Sequence, residues 1–154
     1  MKVSDILRVK GSTLFTVTPD EPLAVAVATM ADKDIGSLVV MEHGDLVGML
    51  TFREVIVCIV ANGGQVGTTQ VRKAMDDAPV TCTVETELDE IRRIMLERHA
   101  RYMPVMDRGM LMGVISFYDV AKAVVDSQNF ENKMLKAYIR DWPGEEEGTE
   151  ARPG

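Results

Sequence analysis

Two four-residue segments carry the groups best suited to chemistry, Thr51-Phe52-Arg53-Glu54 and Ser116-Phe117-Tyr118-Asp119. Each follows a glycine and two apolar residues, Gly48-Met49-Leu50 and Gly113-Val114-Ile115, and each sets a carboxylate three residues after a hydroxyl. A carboxylate can accept hydrogen bonds from both hydroxyls of a ribose, while a hydroxyl and the free amides of a helix N-terminus can receive phosphate. The same four residues also have the form of a capping box, in which hydroxyl and carboxylate satisfy the backbone instead, and the two uses can coexist. Glu54 is one methylene longer than Asp119, which sets its carboxylate differently. Arg53 beside it can pair with phosphate or stand exposed at a helix end. The expectation is of two unequal sites, with Ser116 and Asp119 forming the better ribose binder.

Other chemistry is poorly provided for. The two histidines, His43 and His99, and the two cysteines, Cys58 and Cys82, are far apart in the chain and give no metal-ligand spacing and no nucleophile-base pair. The cysteines stand in apolar or strand-like segments and read as buried free thiols. Eleven methionines read as core and interface filler rather than as a metal site. Arg98, His99 and Arg101 form a small basic cluster able to meet phosphates. The net charge of −7 argues against a nucleic-acid partner, which would need clustered cations over a wide surface.

The elements that must position these groups come in duplicate. Residues 15–60 align with 80–125 at an unbroken offset of 65, and twelve of the 46 pairs are identical, among them Thr16/Thr81, Gly44/Gly109, Gly48/Gly113, Phe52/Phe117 and Val55/Val120. Upstream, Val3 to Leu7 resembles Val71 to Met75 at an offset of 68, so the first copy carries three extra residues around Lys10-Gly11-Ser12. Two copies imply two similar folding units related by a pseudo-twofold axis.

Within each copy, Phe15 to Val17 and Val80 to Cys82 read as short strands. A helix follows. In the second copy Thr86 and Asp89 suit its cap, and Leu88, Ile91, Ile94 and Met95 form its apolar stripe. In the first copy Pro22 suits the opening turn, and the run from Leu23 to Ala31 predicts a deeply packed helix. Hairpins turn at His43-Gly44-Asp45 and Arg108-Gly109-Met110. Second helices are expected from Phe52 to about Ala61 and from Phe117 to about Asp126. Beyond them Phe130, Met134, Leu135, Tyr138, Ile139 and Trp142 fall on one face of a C-terminal amphipathic helix that must cover either its own module or a partner subunit. The organisation is thus repeat 1 over 1–65, repeat 2 over 66–126, a C-terminal helix over 127–142 and a disordered acidic tail over 143–154. The longest apolar run, Val55 to Ala61, is too short to cross a bilayer, and Met1-Lys2-Val3-Ser4-Asp5 lacks the apolar stretch of a signal peptide, so the expected compartment is the cytosol, with no membrane partner.

Strand-helix-strand-strand-helix, repeated twice and closed each time by Gly, two apolar residues, Thr or Ser, two variable residues and an acid, resembles the CBS domain pair, or Bateman module. Further matches are Thr18-Pro19-Asp20-Glu21-Pro22-Leu23, Ile35-Gly36-Ser37-Leu38-Val39-Val40 and Ala100-Arg101-Tyr102-Met103-Pro104-Val105. The resemblance spans residues 3–126 and implies an α+β fold of two repeats packed sheet to sheet, with clefts between them and commonly a homodimer of modules. It implies a regulatory module without catalysis, binding AMP before ADP, ATP, NAD(H) or S-adenosylmethionine and acting on a separate effector protein. Adenine would then lie between strands, held by main-chain groups near Ile35, Ser37, Leu38, Ala100, Arg101, Tyr102, Met103 and Pro104, with apolar contacts from Val17 or Cys82. Glu54 departs from the family's aspartate. The rival expectation is a purely structural dimerisation or adaptor module with empty clefts.

Overall fold

A computed structural model describes residues 1–11 and 13–140. The chain divides into two compact units, Met1–Val120 and the residues from Ala121 on. Trp142 and the expected acidic tail lie outside the described residues.

In the first unit the elements run α1 (Val3–Lys10), β1 (Thr16–Val17), α2 (Leu23–Lys33), β2 (Ser37–Glu42), β3 (Asp45–Thr51), α3 (Phe52–Ala61), α4 (Val71–Ala74), β4 (Cys82–Thr83), α5 (Leu88–Arg98), β5 (Tyr102–Asp107) and β6 (Met110–Ser116). They build two three-stranded sheets, ordered β1-β2-β3 and β4-β5-β6. In each the short strand runs parallel to the next, with Thr16 opposite Val39 and Cys82 opposite Val105, and the following hairpin is antiparallel. The hairpins turn on His43-Gly44 and Arg108-Gly109, all four at positive φ (53°, 82°, 53° and 79°), the conformation that two-residue hairpins of this twist require. A β-bulge recurs at the same place in both, between Val40 and Met41 and between Val105 and Met106. The expected α+β duplication is what the chain forms.

Each sheet buries one face against its own helices. Leu23, Ala26 and Met30 from α2 meet Leu38, Val40, Leu50 and Val55 in the first core, and Leu88, Ile91, Met95, Met103, Val105 and Ile115 are buried in the second copy. Both cysteines are buried free thiols. The α2 helix is less enclosed than its composition suggests: one stripe is buried and Val25 is 52% exposed, because small apolar residues fill the outer face as well as the inner one. The Thr86–Asp89 cap does not form. The α5 helix starts one residue later with Glu87 at its cap, and Thr86 Oγ instead accepts from Thr83 N at 3.1 Å, closing the turn that leads into the helix.

The leading segments are exchanged. Val3 N donates to Thr86 O (2.9 Å), Ser4 N to Val84 O (3.0 Å) and Leu88 N to Met1 O (2.8 Å), so α1 seats on the second copy. The counterpart bonds, Val71 N to Glu21 O (2.9 Å), Arg72 N to Pro19 O (2.8 Å) and Leu23 N to Thr69 O (2.8 Å), seat α4 on the first. Val71 is accordingly part of the first core.

The last helix, α6 (Phe117–Arg140), is continuous for 24 residues and crosses from the first unit into the second. Separate helices ending near Asp126 and starting after it do not occur, since Ser127-Gln128-Asn129 contains no glycine or proline to break the hydrogen-bond ladder. In the second unit Phe130, Met134, Leu135, Tyr138 and Ile139 are exposed. Among the described residues no helix is long and apolar enough to cross a membrane.

Candidate functional site

Both motifs lie where a returning hairpin strand becomes a helix, and in both the capping box is made. Thr51 N and Thr51 Oγ donate to Glu54 Oε1 at 2.9 and 2.6 Å, while Thr51 Oγ accepts from Arg53 N at 3.2 Å. In the second copy Ser116 N donates to Asp119 Oδ2 at 2.8 Å and Asp119 N donates to Ser116 Oγ at 3.1 Å. The capping reading therefore holds for both, and what distinguishes a site is whatever remains free around the cap.

At the first motif a cleft of about 880 Å³ opens over the start of α3. Its walls are Thr51, Phe52, Arg53 and Glu54 with Ile56 and Val57 from the next turn, the loop Asp76, Ala78, Pro79 and Val80, and the α5–β5 turn from Arg98 to Tyr102. Glu54 Oε2 makes one loose ion pair, with Arg53 at 3.8 Å, so this oxygen can still accept hydroxyls. The side chains of Arg98, His99 and Arg101 enter no ion pair among the described residues. His99 caps α5 at φ 52° in the left-handed region, which turns the chain sharply so that Arg98 and Arg101, from either side of it, reach one cleft. An apolar floor, a capped helix N-terminus and an unneutralised cationic wall in a net-acidic protein make a site for a flat apolar group carrying an anion.

At the second motif Asp119 is already engaged from outside the cap. Lys10 Nζ stands 2.6 Å from Asp119 Oδ2 and 2.7 Å from Val114 O.

Comparison with known proteins bears on these motifs directly, since the CBS domain family model matches residues 3–61 and again 71–126. The chain belongs to the CBS family. It is 31% identical over 148 residues, 90% of this chain and 71% of the relative, to the mitochondrial CBS domain-containing protein CBSX3 of Arabidopsis thaliana. A CBS-domain containing protein from Agrobacterium tumefaciens superposes with a TM-score of 0.76 at 32% identity, over 80% of this chain and 98% of that one. The protein CBSX2, solved in complex with AMP, shares the fold at a TM-score of 0.69 and 23% identity, over 82% of this chain and 98% of that one. CBS pairs of this kind are regulatory modules.

Within this CBS pair the residues singled out from sequence separate into groups. Thr51, Arg53, Glu54, Ala100, Arg101 and Tyr102 come together around the cleft. Ser116, Tyr118 and Asp119 do not line it; they sit at the start of α6, with Tyr118 72% exposed. Val17, Cys82, Leu38, Met103 and Pro104 are buried, and the Cys82 thiol faces Pro104 O at 3.7 Å. Their side chains lie in the interior, Met103 and Pro104 on opposite faces of β5 as adjacent strand residues must. Burial pushes the Cys82 thiol up to about 12, so it is an inert neutral group. Ile35 packs on the first core and Ser37 is half-buried beside it. The apolar part of the cleft wall is made of Phe52, Ile56, Val57, Pro79 and Val80. Sequence reading missed these five as site residues, although apolar residues on the exposed side of an amphipathic helix, as at Phe52 and Ile56, were a signal.

Proposed function

We propose that this CBS pair is a regulatory module that binds an adenine nucleotide, AMP first, and signals its presence to a separate effector protein. The observation that carries the reading is the meeting of Arg98 and Arg101, two cations without an ion-pair partner among the described residues, and His99 with the capped Thr51–Glu54 helix start in one cleft. Glu54 Oε2 would accept the ribose hydroxyls, the cations the phosphate, and Phe52, Val57 and Val80 the base. ADP, ATP and NAD(H) are alternative occupants of the same chemistry, and S-adenosylmethionine would offer the cations its carboxylate in place of a phosphate. Because the cleft is walled by both copies, an occupant contacts both and favours the arrangement in which it binds more tightly.

We read the module as a binder and not a catalyst, so incubation with ATP should release no phosphate. Thermal-shift screening of AMP, ADP, ATP, NAD, NADH and S-adenosylmethionine, followed by calorimetry, tests the reading. At a hundredfold excess over the dissociation constant, bound nucleotide stabilises the native state by about 2.7 kcal/mol. Arg101→Ala should weaken AMP binding about tenfold. Equal binding by Arg101→Ala and parent would remove the cleft from the assignment.

A second reading, a structural dimerisation module, is favoured by the outer face of α3, where Phe52, Ile56 and Val60 are 54%, 59% and 75% exposed. That face suits a second copy of the chain, and a homodimer is compatible with either reading. Silence in every nucleotide screen, with a concentration-dependent mass in sedimentation, would leave dimerisation as the function.

A further inference from the structure

The two copies place their leading segments alike up to one point and then diverge. In the second copy's leader, Met75 packs on Gly48 and Asp76 next pairs with Met49 through the main chain, N to O in both directions at 2.9 Å. In the first copy's leader, Leu7 packs on Gly113 in the matching way. There the helix continues to Lys10, among the three residues that the second copy lacks. Lys10 Nζ donates to Val114 O at 2.7 Å, and Val114 is the counterpart of Met49. A lysine side chain thus does at the edge of β6 what the Asp76 main chain does at the edge of β3, and it also brings a cation to the motif carboxylate at 2.6 Å.

The neighbouring turns differ in the same sense. Opposite numbers of Arg98, His99 and Arg101 are Lys33, Asp34 and Gly36, so one copy offers three groups able to carry positive charge and the other offers one cation beside an acid.

We propose that each chain takes a single nucleotide, on the Glu54 side, because Lys10 acts as a built-in counter-ion for Asp119 and closes the second motif to a ribose. This rests on the nucleotide reading above and reverses the ranking expected from Asp119 and Glu54 alone. A ribose hydroxyl is neutral. Lys10 Nζ and Ser116 N both bond Asp119 Oδ2, so a ribose whose two hydroxyls engage both carboxylate oxygens would have to displace from Oδ2 a charge-assisted bond roughly twice as strong as a neutral one. Glu54 has no such partner: its nearest cation, Arg53, is 3.8 Å away and 81% exposed. The three-residue insertion is therefore a site-selecting element, and Lys10 is its working residue.

Calorimetric titration of the full chain with AMP, and separately with ATP, tests this in the parent, Lys10→Ala, Lys10→Arg and the double variant Lys10→Ala/Asp119→Ala. One nucleotide per chain is expected for the parent and for Lys10→Arg, two for Lys10→Ala, and one again for the double variant. Circular dichroism checks that each is folded, and Lys10→Gln serves if Lys10→Ala is not. Two nucleotides in the parent overturn the inference, as does an unchanged count in Lys10→Ala. Loss of a binding event in Lys10→Ala overturns it too, by making Lys10 a phosphate ligand. Those results leave the nucleotide reading standing, whereas no binding by either parent or Lys10→Ala removes that reading and this inference together.

Discussion

Tyr102 of the second copy stands directly against Gly36 of the first: a Cβ built on Gly36 would run into the Tyr102 hydroxyl and lie 2.8 Å from Phe52 Cε2. Gly36 is not at positive φ, so its lack of a side chain serves close approach alone. Across the repeat, Tyr102 corresponds to Ser37 and Gly36 to Arg101, which makes this contact a point where the two halves have stopped being interchangeable.

Gly36→Ala should therefore cost about 1–3 kcal/mol, the range for overpacking a filled site. Combining it with Tyr102→Ser, which installs the residue found at the matching position, should recover part of that loss. Urea midpoints of the two single variants and the double give the coupling; purely additive effects would show that the two residues do not bear on each other.

Thr51→Ala removes the group that accepts from Arg53 N and donates to Glu54. A lost cap costs about 1 kcal/mol, read as a lower urea midpoint at unchanged slope. The same variant should bind AMP more weakly, since Glu54 loses one of the two bonds that orient it. Stability that falls while affinity holds would confine Thr51 to the backbone.

Alkaline stability should depend on Cys82. Burial pushes its thiol up to about 12 in the native chain, from an ordinary value near 9.0. Between those values the unfolded state gives up a proton that the native state keeps. Stability therefore falls as pH rises through that window, by up to about 1.4 kcal/mol per pH unit, and is unaffected by this group below it. Cys82→Val, which copies the residue at position 17 of the first copy, should flatten that part of the profile. Native Cys82 should also resist alkylation at pH 8, with labelling appearing only on unfolding.

The exchanged leader makes adjacent substitutions in α4 differ sharply. Val71 is fully buried in the first copy's core, so Val71→Ala should cost about 2 kcal/mol. Hydrogen exchange should show the lost protection over β2 and β3 rather than over β5 and β6. Arg72 bonds Asp20 Oδ1 at 3.1 Å and Glu42 Oε2 at 2.8 Å with its own side chain 41% exposed. Arg72→Ala should stay within about 1 kcal/mol, and that effect should shrink in high salt.

Much of the fold was legible because its signals are local. The hairpin turns announced themselves through His43-Gly44 and Arg108-Gly109, and both capping boxes through a hydroxyl and an acid three residues apart, all of which depend on residues within one or two turns of each other. The α2 helix and the Thr86 cap were misread for the opposite reason. Composition does not say which face of an apolar helix is covered, and Thr86 had a nearer backbone partner in Thr83 than any in the helix.

The sequence by itself determined the duplicated α+β architecture, since an unbroken 65-residue offset can be kept only if two stretches solve the same packing problem. It also determined the chemistry on offer: two hydroxyl–carboxylate motifs and a basic turn at Arg98 to Arg101. Which motif stands beside which cations was decided by tertiary structure alone. Arg101 meets Glu54 in one cleft across nearly fifty positions of chain, and Lys10 reaches Asp119 from the far end of the same unit, because the leading segments are exchanged between copies. A pairing of that kind leaves no trace in spacing or periodicity, for it is set by where two sheets come to rest against each other.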